Sequence, residues 1–192
     1  MLFLEAHARV WLIVHAVVGA ATVAVTTHLV VWIRRYPRGE FGRHDAARWF
    51  ATAAVLLYGA QFTLGNLLYP TYKVRVRAEY FDLPTAAREE QRVRQEARAV
   101  VDERARRASA VVDAPRDLPA LGRGFDVKEH WAALGLGVAL GLGLLAWAWD
   151  PRRDGGGATS LFLSLAIACA SCAWLAGLVG LFVSSHRAVG WP

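Results

Sequence analysis

His15 and His28 close off the stretch HAVVGAATVAVTTH, in which an ionisable imidazole stands at each end and no charged residue lies between. Imidazole in an apolar segment supports three chemistries. It can hydrogen-bond a neighbouring helix, carry a proton, or bind iron as a haem ligand. The 13-residue separation corresponds to roughly 20 Å along a helix. At about 100° per residue, the two rings point some 140° apart and meet different neighbours. His15 shares its face with Gly19, Thr22 and Thr26.

Two histidines on one apolar helix resemble the arrangement in di-haem four-helix membrane b-type cytochromes. The resemblance covers this single span and implies haem b at two depths. In that family the spacing is usually 14, and a second helix supplies two more histidines at matching depths. This chain departs on both counts. Near His28 the further imidazole is His44, in a polar connection. A single site at the other end is the better expectation. His15, His130 and His186 all fall toward one membrane face and are the candidate haem ligands, with His28, Gln61 and Tyr69 as candidate support. Without haem, the same residues are expected to hydrogen-bond within a helix bundle.

These side chains have to be carried by four long apolar blocks. Their length and continuity fit membrane spans rather than a water-soluble core. The expected spans are residues 10–33, 49–69, 130–149 and 160–183. A span of 24 residues rises roughly 36 Å, enough to cross a hydrocarbon core of about 30 Å with some tilt. Trp11 and Trp32 bracket the first, and Trp131, Trp147 and Trp149 bracket the third, as interfacial indoles do. The fold class is therefore an all-α membrane protein, an up-down bundle of four transmembrane helices. Residues 1–69 hold helices 1 and 2, residues 129–192 hold helices 3 and 4, and a polar insert fills 70–128.

Within that insert, apolar positions recur at helical spacing over about 86–112. Acid-before-base pairs such as Glu90–Arg94 and Asp102–Arg106 support a charged helical arm, which could dock a protein partner. Small residues predict helix packing in the last two spans. Gly137 and Gly141 form a GxxxG pair flanked by Gly135 and Gly143, and Ala168, Cys172, Ala176 and Gly180 form a second ridge. Tyr58, Gln61, Gly65 and Tyr69, with Asn66 beside them, should point into the bundle.

The net charge of +6 comes from 22 basic and 16 acidic residues, and all but Lys73 and Lys128 of the basic ones are arginine. That bias fits a GC-rich bacterial genome, so nucleic acid is not expected as a partner; the lipid bilayer is. Five arginines between residues 34 and 48 place the first connection in the cytoplasm and both termini outside, in a bacterial inner membrane. Cys169 and Cys172 sit in mid-span, where small-residue packing is the expected role. The chain has no H-E-x-x-H, P-loop, G-x-S-x-G or dinucleotide fingerprint. A self-contained enzyme is not indicated. The expected function is an accessory or structural membrane subunit, homo- or hetero-oligomeric, with a haem-b electron-transfer protein or anchor subunit as the alternative.

Overall fold

The computed structural model describes residues 7–74 and 118–186, with the side chains of 118–126 and of the last helical residue left aside. The expected arm at 86–112 lies outside the described residues. Four long helices dominate: α1 (Ala8–Ile33), α2 (His44–Tyr72), α3 (Leu118–Ala148) and α5 (Thr159–His186). The short α4 (Pro151–Asp154) and two single 3₁₀ turns lie in the connections. All four long helices are long and apolar enough to cross a membrane.

The helices exceed the apolar blocks at several ends because polar residues can continue a helix wherever their side chains find partners. α2 begins five residues before the expected Trp49, and it passes Pro70 to end at Tyr72. Pro70 has no N–H for the carbonyl of Asn66, and the α-helical pattern gives way to a π turn at Lys73 and Val74. Valine-rich α1 has modest intrinsic helix propensity. Packing against α2 and α5 overrides that deficit. Hydroxyls inside the helices turn back on their own carbonyls: Thr22 donates to Val18 O and Thr26 to Thr22 O, each at 2.8 Å.

α1 stops at a tight basic turn. Gly39 adopts φ 79°, a left-handed conformation that glycine tolerates, and its N–H closes on Tyr36 O at 2.9 Å. α3 hands over to α5 through Asp150, whose carboxylate accepts the Arg152 N–H at 3.0 Å ahead of Pro151 at the first helical position.

Each long helix packs on two others in the cycle α1–α2–α3–α5–α1, leaving α1 diagonal to α3 and α2 diagonal to α5. Contacts of His15 with Gln61, Arg48 with Ala146, and Thr27 with Trp174 make neighbours antiparallel. The shared interior is built largely from small side chains. Ala47, Ala51 and Ala54 line α2, Ala139, Leu142 and Ala146 line α3, and Phe162, Ala166 and Cys169 line α5, all fully buried. Large apolar groups point outward instead, with Leu144 at 73 % and Leu181 at 69 % exposure. Bulk outside and small residues inside is the distribution that lipid permits, because close backbone approach holds the helices together there.

The α3 contact is not the expected GxxxG pair. Gly137 and Gly141 face open space. Gly135 and Gly143 make the approach: a β-carbon at Gly135 would lie 2.5 Å from the Tyr58 ring, and one at Gly143 would lie 2.9 Å from Val55. Among four glycines at alternate positions, the sequence motif alone does not decide which pair faces the neighbour. Asn66 also departs from expectation. It is exposed, and its amide donates to Phe62 O of its own helix at 3.0 Å.

Candidate functional site

Polar side chains gather at both ends of the ring. At the end carrying the short connections, His44 is fully buried as the first residue of α2 and not part of a polar loop. Its Nε2 donates to Trp149 O at 3.0 Å, which leaves Nδ1 to accept from the Tyr36 hydroxyl at 3.1 Å. One tautomer thereby satisfies both ring nitrogens. One helical turn on, Arg48 donates its Nε–H to Ala146 O at 2.9 Å. His44 and Arg48, four apart on α2, together reach carbonyls at the C-terminal end of α3 that no helical N–H can bond. A guanidinium there also complements the helix dipole.

An ionic layer covers this joint. Arg152 grips Asp45 with two bonds of 3.0 and 2.8 Å and reaches Asp150 at 3.1 Å, while Arg48 lies 3.6 Å from both carboxylates. Hydrogen bonds and charge from Arg152 hold the Asp150 carboxyl down at about 2, and the two carboxylates in turn raise Arg152. Arg153 likewise lowers Asp154. Phe162 stacks on Tyr36 and packs against His44 and Trp149, so the joint rests on an aromatic floor.

Halfway along the helices, Tyr58 spans the diagonal. Its hydroxyl donates to Cys169 O at 2.6 Å, joining α2 to α5 through the centre. Cys169 and Cys172 are free and buried within this packing.

Toward the opposite end, His15 and Gln61 form a pair between α1 and α2. Gln61 Nε2 lies 3.0 Å from His15 Nε2. An amide nitrogen can only donate, so His15 Nε2 accepts and Nδ1 carries the proton. His15 Nδ1 and Gln61 Oε1 are buried and have no hydrogen-bond partner among the described residues. Glycines provide the space. A β-carbon at Gly65 would sit 3.5 Å from the His15 ring, and one at Gly19 would sit 3.1 Å from the Gln61 amide. Lys128 of α3 is within electrostatic reach of His15 and passes over Gly180 of α5, where a β-carbon would lie 3.1 Å from its Nζ.

The remaining sequence candidates are dispersed. His130 is exposed on α3, diagonal to the helix of His15. His186 ends α5 with its side chain outside the described residues. His28 is exposed at the connection end, where its ring stacks on Phe50 at 5.3 Å and meets Trp32 at 4.7 Å. Tyr69 is half-buried eight residues past Gln61, about 12 Å farther along the axis. Of the predicted set, His15 and Gln61 meet directly. Among the described residues, no three His, Cys, Asp or Glu side chains gather as a metal site. Sequence reasoning missed Tyr36, His44 and Arg48. Their signal was the i, i+4 spacing of His44 and Arg48 just ahead of an apolar run, opposite a DPRRD turn. Compared with known proteins, the chain matches no family model, no curated protein and no solved structure.

Proposed function

We propose that this chain is a small multi-pass integral membrane protein, an up-down bundle of four transmembrane helices acting as an accessory or structural subunit. The observation that carries the reading is how its interior polar groups are used. His44, Arg48 and Tyr58 each bond backbone carbonyls elsewhere in the bundle, so they lock helices together. Outward-facing leucines and valines supply a lipid-compatible surface. The arginine-rich first connection faces the cytoplasm of a bacterial inner membrane in this reading, and the charged arm at 86–112 reaches a protein partner on the other side. Cysteine labelling tests the topology. In a background lacking Cys169 and Cys172, Glu40→Cys should react with an impermeant maleimide only after the cells are opened. Labelling in intact cells would reverse the orientation. Native electrophoresis of the source membranes should place the chain in a complex that dissociates when the arm arginines are neutralised. Migration as a lone chain would count against a subunit role.

A second reading, haem-b binding in electron transfer, is favoured by His15 Nδ1, which has no partner among the described residues. As the pair stands, Gln61 occupies the lone pair at Nε2 and Nδ1 bears the proton, which suits hydrogen bonding better than iron ligation. Reversing the Gln61 amide would let Nε2 donate and free the Nδ1 lone pair. A reduced-minus-oxidised visible spectrum of the purified chain decides between the two. Sharp α and Soret bands lost in His15→Ala would establish the haem site, and a colourless folded protein would remove it.

A further inference from the structure

Two surface hollows meet at Val31. One is an apolar groove of about 480 Å³ between α1 and α5, lined by Val30, Ala170, Trp174 and Leu175 among others. Its one indole N–H is already used, since Trp174 donates to Thr27 Oγ1 at 3.0 Å. The second hollow, about 290 Å³, continues past Val31 and is lined by Trp32, Arg34, Arg35 and Arg43. Arg43 is held over the Trp32 ring, 5.3 Å from its centroid. Arg35 pairs with Glu40 at 3.2 Å, both largely exposed. Among the described residues, Arg34 and Arg43 have no carboxylate partner.

We infer that this composite groove is a binding site for one anionic phospholipid. The acyl chain lies along α1 and α5, and the phosphate sits among the guanidiniums of Arg34, Arg35 and Arg43. Charge and continuity select this occupant. A partner helix would fill the apolar part and leave the arginines unmatched, and a zwitterionic lipid would bring its own cation to them. Guanidinium offers paired N–H donors suited to phosphate oxygens. Three basic residues at a membrane surface give an affinity margin on the order of 100-fold for an anionic headgroup.

The inference rests on the membrane reading above, and the two fail differently. A chain released from membranes by alkaline carbonate would overturn both, whereas lipid selectivity tests the site alone. The full chain, delipidated in detergent, would be titrated with dioleoylphosphatidylglycerol or dioleoylphosphatidylcholine and bound lipid counted by native mass spectrometry. Phosphatidylglycerol should bind at least tenfold tighter, a comparison that needs no variant. Replacing Arg34, Arg35 and Arg43 with Gln should erase that preference. Ser171→Phe, an exposed position on the apolar groove, should weaken both lipids at least tenfold. Equal affinity for the two lipids, a preference that survives the triple variant, or indifference to Ser171→Phe would each overturn the site. Thermal stabilisation by inorganic phosphate equal to that by phosphatidylglycerol would also overturn it, because the acyl groove would then contribute nothing.

Discussion

The two ends of the helix ring handle buried polarity in opposite ways. At the connection end His44 has a partner for each nitrogen, and Arg48, Asp45, Asp150 and Arg152 close over it. Toward the other end His15 and Gln61 share one hydrogen bond and leave two buried atoms unmatched among the described residues. A fully satisfied network specifies one arrangement and is costly to break at any member. A half-satisfied pair adds little to stability and keeps the capacity to bind something. The connection end therefore reads as the structural anchor, and the His15–Gln61 end is where unused chemistry resides.

The largest effect expected from this contrast is in His44→Ala. It orphans Trp149 O and the Tyr36 hydroxyl and leaves a hole in fully buried packing, costing about 3 kcal/mol. Unfolding in mixed detergent with increasing SDS measures it. A loss below about 1 kcal/mol would mean that this end is not the anchor. Next comes Gly135→Val, expected to cost about 2 kcal/mol because Tyr58 has to give up its seat. Gly137→Val, with open space beside it, should change stability by less than about 0.5 kcal/mol in the same assay. Equal effects would restore the GxxxG pair as the interface.

Tyr58→Phe removes one interhelical bond and should cost about 1 kcal/mol, in the range such bonds span within membranes. At the opposite end, Gln61→Leu alone should cost about 1 kcal/mol by stranding His15, while His15→Leu with Gln61→Leu should return within about 0.5 kcal/mol of the parent. If the double variant stays folded and a cellular phenotype is still lost, the pair serves function. If it is as damaging as His44→Ala, the two ends are alike and the contrast collapses.

The smallest effect concerns acid. The folded Asp150 carboxyl is held at about 2, below its ordinary 3.8. Its contribution is therefore complete above that ordinary value and is lost as pH falls through about 2. Arg152→Gln should flatten the stability profile across this window, as read by unfolding midpoints at successive pH values. An unchanged slope would leave the ionic layer without energetic weight.

Four apolar runs of twenty or more residues dictate four long helices, since a segment apolar enough to cross a membrane satisfies its backbone hydrogen bonds best within itself. To that extent the sequence by itself determined the four helices, along with the basic first turn. It also put His15, Gly19 and the buried threonines on one face, as helical spacing requires. Tertiary structure decided the rest. Alternation of four glycines did not say whether Gly135 and Gly143 or Gly137 and Gly141 meet α2, because that depends on the rotation of α3 about its axis. His44 looked like a loop residue because local polarity conceals a partner 105 positions away, the Trp149 carbonyl. His15 met Gln61 and not His130 because α1 and α3 are diagonal, and which helices adjoin is a property of the assembled ring rather than of any one span.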